Sequence, residues 1–289
     1  MNAPRKAGMA AVLRPQMSDD GPDFAVLLVR RSQRASFMAN AYVFPGGRVD
    51  PADAEVDPDA PSRYAAAREL TEEAGLSVAE PKTLVRFAHW ITPSAEPKRF
   101  DADCYLLSLE WTTPRHDGGV QVDGREVFDP LWLTPREALA RYQAGALNLP
   151  PPTVCTIEEL EAERLRTLHD LRTVESLSSS LPDASALLDA STLVSALLSS
   201  CRQRVPYPLL PKLISQPDGD GIAIVMPWDP HFAELPGEGT SWPGVAANAQ
   251  AVPQRITRCV LSLAKADETY AVRPENSQSV RWQIERLPQ

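Results

Sequence analysis

Apolar residues come in short runs separated by turn residues over the first half of the chain. Ala10 to Leu13 and Phe24 to Val29 are apolar segments that predict strands, the second feeding a Phe44-Pro45-Gly46-Gly47 turn. An Ala-rich stretch from about Ser62 to Ala74 predicts a helix. It stops at Gly75, because glycine adopts the left-handed conformation needed just past a last turn. Thr83 to Ile91 and Ala102 to Leu109 alternate in strand fashion, and Val127 to Leu133 predicts a further strand. Pro135 opens a helix through about Tyr142, at a position where the missing N–H has no intrahelical partner to lose. Between turn and first helix, Val49 to Pro61 is rich in Asp, Ala and Pro and reads as an irregular, exposed loop.

Consecutive prolines at Pro150-Pro151-Pro152 suggest a boundary, dividing the chain into 1–150 and a C-terminal extension, 151–289. Ile157 to Leu177 and Ala184 to Leu198 have helical periodicity, with Leu160, Leu165, Leu168 and Leu171 on overlapping faces suited to core packing or to a homodimer. From Val205 onward the chain is rich in Pro and Gly, with short strand candidates at Gly221 to Met226, Ile256 to Leu263, Thr269 to Val272 and Val280 to Ile284. Prolines number 28 in 289 residues, and their excess falls in loops and in this last third, which reads as a β-rich extension packed on the core. The whole pattern is that of an α+β protein.

Composition narrows the function classes. A net charge of -9 argues against nucleic acid as a partner, though a local basic pocket for a phosphorylated small molecule remains compatible with it. Cys104, Cys155, Cys201 and Cys259 lie far apart without CxxC spacing, which favours reduced, buried thiols in a cytoplasmic protein over a zinc site or a disulfide framework. His89, His116, His169 and His231 form no ligand-spaced pair. No run has signal-peptide character, and none approaches the roughly 18 apolar residues of a membrane span.

The chemistry is concentrated in Arg68-Glu69-Leu70-Thr71-Glu72-Glu73-Ala74-Gly75-Leu76. Glu69, Glu72 and Glu73 stand at i, i+3 and i+4, which places them on one helical face. Three anions there repel one another unless a cation sits among them, and a hard divalent ion, Mg²⁺ or Mn²⁺, suits carboxylate oxygen. The alternative is a solvated turn in which Arg68 pairs with Glu72 at i+4. The strand, Pro-Gly-Gly turn and helix around the glutamates favour the metal.

This segment resembles the Nudix box: Gly, five residues, Glu, seven residues, then Arg-Glu-aliphatic-x-Glu-Glu-x-Gly-aliphatic. The second half matches at every fixed position from Arg68 to Leu76. The first half departs from it, because the loop is about seven residues longer than standard. Counted from Gly47 the first Glu would fall at Asp53, and counted back from Arg68 at Ala60. The role could pass to Asp53, Glu55 or Asp57, or be absent, and it is left unassigned.

The resemblance implies a mixed sheet between helices and hydrolysis of a diphosphate linkage. Glu69, Glu72, Glu73 and the Gly47 carbonyl would hold the metal, with Arg68 orienting the carboxylates. Gly46 and Gly47 would let backbone approach phosphate, and Glu126 is the candidate base or extra ligand. Upstream, Leu27 to Ser32 followed by Phe44-Pro45-Gly46-Gly47 is similar to the accessory signature of coenzyme A diphosphatases, with Val29, Ser36 and Asn40 departing from it. Trp90-Ile91-Thr92-Pro93 and Arg99-Phe100-Asp101 resemble the peroxisomal branch and its bacterial relatives. That likeness implies coenzyme A or acyl-coenzyme A as substrate, with Arg31, Arg34, Lys98 and Arg99 as candidates to read its extra phosphate and Phe37, Tyr42 and Trp90 as stacking or core residues. ADP-ribose, NADH or another nucleotide conjugate would fit the same box, as would a module that binds a nucleotide without cleaving it.

Overall fold

In the computed structural model, residues 3–35, 38–115, 119–178, 188–215, 221–229, 231–240, 256–262 and 283–286 are described. β1 (Arg5–Ser18) and β2 (Gly21–Arg31) form a long antiparallel hairpin, with Leu13 opposite Val26. Gly21 turns it at φ 112, a value that L side chains rarely adopt. Alternate residues of the hairpin leave by opposite faces: Ala10, Val12 and Leu27 by one, Ala11, Leu13, Phe24, Val26 and Leu28 by the other. Both faces are covered, which is why the two runs read as almost continuously apolar.

The remaining elements follow in chain order. β3 (Tyr42–Val43) and β4 (Gly46–Arg48) are separated by Phe44-Pro45, so the two glycines of the expected turn open β4. They lead to α1 (Pro51–Val56), α2 (Pro61–Ala74) and β5 (Leu76–Val78). Then come β6 (Val85–Ile91), β7 (Phe100–Ser108), β8 (Thr112–Pro114), β9 (Val127–Leu133) and α3 (Pro135–Gln143). α4 (Pro151–Ser178), α5 (Ala190–Cys201) and β10 (Pro208–Leu209) complete the main body. Its sheet runs β10-β6-β7-β1-β2-β3, with β4 also on β1 and β9 also on β2. It is mixed, since β1 pairs parallel with β7 and β10 parallel with β6.

α2 lies on the Ala10, Val12, Leu27 face, where Ala66, Leu70 and Ala74 meet it. α4 and α5 close the other face, placing Ile157, Leu160, Leu168, Leu193, Leu197 and Leu198 in the same apolar cluster as Leu13 and Phe24. The helices after the proline run therefore share the core of the first 150 residues. Pro151 sits at the very start of α4, where proline is tolerated, instead of in a spacer. Leu160 and Leu168 are buried and Leu171 packs partly, but Leu165 is 55% exposed and leaves the expected stripe. Its position is rotated about 140° from Leu160 around the helix. A Leu193→Ala variant should lose about 2–5 kcal/mol of stability in urea unfolding, as expected for a fully buried leucine whose site cannot collapse.

The expected irregular loop from Val49 to Pro61 is corrected, because it contains α1. Pro51 presets the first helical φ, and Asp53 accepts the Asp50 N–H at 2.8 Å, so a short Asp-Pro-x-Asp start supplies its own cap. Farther on, β11 (Lys212–Ser215), β12 (Gly221–Val225), β13 (Ile256–Ser262) and β14 (Gln283–Arg286) form an antiparallel four-stranded sheet. The strand expected at 269–272 lies outside the described residues, as do residues 280–282. Cys104, Cys155 and Cys201 are buried thiols, and burial raises the pKa of Cys201 to about 11. Among the described residues no helix is long and apolar enough to cross a membrane.

Candidate active site

α2 carries the glutamates toward the β4 turn and ends at Gly75, whose φ of 68 lets its N–H reach Leu70 O and Thr71 O. Alanines at 65, 66, 67 and 74 are buried and let the helix lie close to the sheet. Glu73 is buried, and its Oε2 accepts the Gly46 N–H at 2.9 Å. Glu69 lies against Gly47 so closely that a Cβ at Gly47 would fall 2.1 Å from Glu69 Oε1. Any side chain there would displace the carboxylate, which explains the second glycine of the turn. Glu72 is the exposed member of the three.

Arg68 ties the constellation together. Its Nε and Nη2 donate to Asp53 at 3.3 and 3.1 Å, its Nη1 to Glu69 at 3.0 Å and to Glu72 at 3.2 Å, and its Nη2 also to Arg48 O at 2.9 Å. One guanidinium thus joins α2, α1 and the end of β4. Burial alone would lower its pKa, but hydrogen bonds to Asp53 and Glu69 and their charges raise it overall. The solvated-turn alternative foresaw only the Glu72 contact.

Of the three candidates left open for the first acidic position, Asp53 is the one that meets Arg68. It is 5% exposed and is delivered by α1, so the lengthened loop folds into a helix that returns a carboxylate to the place counted from Gly47. Asp57 instead accepts the N–H groups of Asp59 and Ala60, and Glu55 is exposed.

Electrostatics bring two further predicted residues to the cluster. Burial pushes Glu73 up to about 8, Glu69 and Glu126 add to the rise, and the Gly46 N–H and Arg31 oppose it. Burial likewise raises Glu69 against the opposing Arg68 cation, with Glu72 and Glu126 adding to the rise. Glu126 and Arg31 therefore act on the glutamates with opposite signs. Their proximity is built in, since Ser32 N–H donates to Glu126 O at 2.8 Å and Asp123 gathers the N–H groups of Arg125, Glu126 and Val127.

Arg34 and Arg99 are placed differently. The Arg34 N–H donates to Ser32 Oγ in the loop after β2, and Arg99 Nε donates to Thr92 O, bracing the β6–β7 connection. Trp90 is a core residue whose Nε1 donates to Thr156 Oγ1 at 3.1 Å, Tyr42 is half-buried, and Phe37 lies outside the described residues. Sequence reasoning missed Arg30. Its guanidinium donates to Asp129 at 2.8 and 2.5 Å and to Asn40 at 3.1 Å, bridging two segments that each carry a left-handed residue, Asn40 at φ 58 and Asp129 at φ 44. Asn and Asp are the residue types that enter that region most readily, and their presence after β2 and within β9 was the available signal.

The donors fit a hard cation. Glu73 is buried, and Glu69 and Glu126 act on it with like charge, a costly arrangement that a divalent ion would relieve. The carboxylates do not converge on one point here: Arg68 lies between Glu69 and Glu72 while Glu73 turns to Gly46. Among the described residues no three acidic, His or Cys side chains are grouped so that they could hold a metal ion as they stand.

The chain is similar to "Putative nudix hydrolase 7" of Caenorhabditis elegans, at 28% identity over 47% of this chain and 55% of that protein. It is also similar to "Acyl-coenzyme A diphosphatase NUDT19" of Xenopus laevis, at 21% identity over 50% of this chain and 62% of that protein. Among solved structures, a NUDIX hydrolase from Alicyclobacillus acidocaldarius is 26% identical, covers 55% of this chain and 91% of its own, and superposes with a TM-score of 0.46. The chain spans 55 to 62% of the length of these curated relatives. The NUDIX domain family matches residues 4–151, from the start of β1 to the first residue of α4, and the chain belongs to that family.

Proposed function

We propose that the protein is a divalent-metal-dependent hydrolase of nucleoside diphosphate conjugates, with coenzyme A or acyl-coenzyme A as its substrate. The observation that carries the reading is that Arg68 joins Glu69 and Glu72 while Glu69 lies against Gly47 and Glu73 accepts the Gly46 N–H. The substrate rests on the upstream signature and on the similarity to proteins named acyl-coenzyme A diphosphatases. Mg²⁺ or Mn²⁺, when bound, would neutralise diphosphate charge and lower the pKa of water. Glu69, Glu72 and Glu73 would hold it, and the Gly47 carbonyl would complete the protein ligands.

The chain's own residues divide the remaining work. Arg68 orients Glu69 and Glu72 without touching substrate. Glu126 stands on a braced loop beside the buried carboxylates, where it would accept a proton from the attacking water. Arg31 supplies positive charge on the same side, suited to a phosphate oxygen.

A product screen with Mg²⁺ or Mn²⁺ over coenzyme A, acyl-coenzyme A, ADP-ribose, NADH and dinucleoside polyphosphates tests the proposal. Adenosine 3',5'-bisphosphate and a phosphopantetheine are the expected products. Preferred turnover of ADP-ribose or NADH would overturn the substrate, and nucleotide binding without any turnover would overturn the enzyme.

A further inference from the structure

The glutamates are useful only at one height relative to the Gly46–Gly47 turn. A helix that slips by one residue moves each side chain by about 1.5 Å along the axis and 100° around it. Something in the sheet must therefore stop α2. A close approach of α2 to the sheet lies at Gly8, outside the Nudix box. A Cβ at Gly8 would lie 1.8 Å from Ser62 O and 2.9 Å from Ala66 N, so the first two turns of α2 rest on bare β1 backbone.

Gly8 also occupies a telling place in the sheet. It is paired with Gly47 on β4 and with Asp103 on β7, and Asp103 is in turn paired with His89 on β6. One transverse row thus runs Gly47, Gly8, Asp103, His89. α2 touches this row near both ends: Glu69 meets Gly47, and Ser62 Oγ donates to Asp103 Oδ2 at 2.6 Å. Two strand spacings, about 10 Å, separate Gly47 from Asp103. The seven residues from Ser62 to Glu69 span a comparable length of helix, about 10 Å.

The Ser62 end is fixed by a chain of side chains in which each has a partner. Ser62 is buried, and its Oγ also lies 2.9 Å from Tyr105 Oη. Asp103 receives Arg86 Nε at 2.7 Å, and Arg86 Nη2 lies 3.1 Å from His89 Nδ1. Because arginine can only donate, His89 Nδ1 accepts, and its Nε2–H is left to donate to Asp101 at 2.6 Å. Lys6 closes the chain on Asp101 at 2.7 Å. Such a network favours one geometry because its buried and part-buried members, Ser62, Asp103, Arg86 and His89, are bonded to one another.

We propose that Gly8 and the Ser62–Asp103–Arg86 chain are positioning residues, a register stop that sets the height of the glutamate helix over the Gly46–Gly47 turn. The proposal deepens the hydrolase reading and rests on it only for its consequence in turnover. Ser62→Ala, Ser62→Thr and Gly8→Ala are compared with Leu168→Ala, a core variant on the opposite layer that serves as a control for stability loss. The readouts are Mn²⁺ affinity without nucleotide, hydrogen exchange of the α2 amides, and kcat separately from KM.

Ser62→Ala is expected to weaken Mn²⁺ binding about tenfold and to lower kcat on the order of 10- to 100-fold at little cost in KM. Its α2 amides should exchange faster, while Ser62→Thr, which keeps the hydroxyl, should restore all three. Leu168→Ala should lower the melting temperature without changing Mn²⁺ affinity. Folded Ser62→Ala protein with wild-type Mn²⁺ affinity and wild-type α2 exchange would overturn the stop, whether or not Gly8→Ala folds. Should the wild-type protein neither bind Mn²⁺ nor turn over, the hydrolase reading fails, and α2 exchange alone decides the register stop.

Discussion

Replacing Glu73 by Gln is expected to abolish turnover, on the order of 10³-fold or more, while the metal-free protein becomes more resistant to unfolding at alkaline pH. The carboxylate is buried and accepts the Gly46 N–H, and a glutamine Oε1 can accept the same bond. Burial first, then Glu69 and Glu126, raise the folded pKa from 4.5 to about 8. A raised carboxyl contributes its stability fully below 4.5 and loses it as pH rises through 8, because the unfolded chain releases the proton more readily than the folded one. The carboxamide of the variant has no proton to lose. The melting temperature of the wild-type protein should therefore fall below that of Glu73→Gln as pH is raised from about 5 to 9 without divalent ions.

Added Mn²⁺ should reverse the order, since only the carboxylate is a strong ligand and its proton competes with the ion. Measurable activity in Glu73→Gln would refute the metal assignment. Melting curves whose difference does not change with pH would refute the buried, proton-holding carboxyl.

The elements that the sequence made legible are those whose apolar period is fixed by two neighbouring layers. β1, β2, β6, β7, β9, α2 and α3 were all readable, because each must show the sheet or its covering helix a regular face. α1 was not, since six residues are too few to display a period, and Asp and Pro signal a loop as readily as a helix start. That one omission also hid the partner of Arg68. Spacing pointed to Asp53 without deciding for it, and only the fold of α1 shows that its carboxylate returns to the guanidinium.

The grouping of Glu69, Glu72, Glu73 and Arg68 was legible because helical spacing alone puts them together, whereas the glycine turn was joined to them by the resemblance to the Nudix box. Gly8 and the Ser62–Asp103–Arg86 chain were not, because they meet through strand register across residues far apart in the chain. Arg31 and Arg99 show the same limit from the other side. Both are basic and stand at the edge of an apolar strand, yet only Arg31 adds its charge at Glu73, while Arg99 Nε donates to Thr92 O.

Arg68→Ala should cost about 3 kcal/mol of stability, most of it through Asp53 and not through the glutamates. Asp53 is nearly inaccessible, and its two oxygens receive Nε and Nη2 of Arg68. Without the guanidinium a buried carboxylate keeps only the Asp50 N–H, and the anion is left close to Glu69. Removing one partner of a buried pair costs far more than the pair itself is worth. Asp53→Asn in the Arg68→Ala background should therefore recover part of the loss, with a coupling of about 1–3 kcal/mol in a double-mutant cycle read by urea unfolding.

Arg68→Lys should fall between wild type and Arg68→Ala, because an ammonium keeps the charge but cannot reach Asp53, Glu69, Glu72 and Arg48 O at once. In turnover, Arg68→Ala should lower kcat without reaching the loss of Glu73→Gln, as befits a residue that orients ligands and does not touch substrate. Additive stability losses in the cycle would mean that Asp53 does not depend on Arg68. The lengthened loop would then contribute no carboxylate to the site, and the first position of the Nudix box would be empty in this chain.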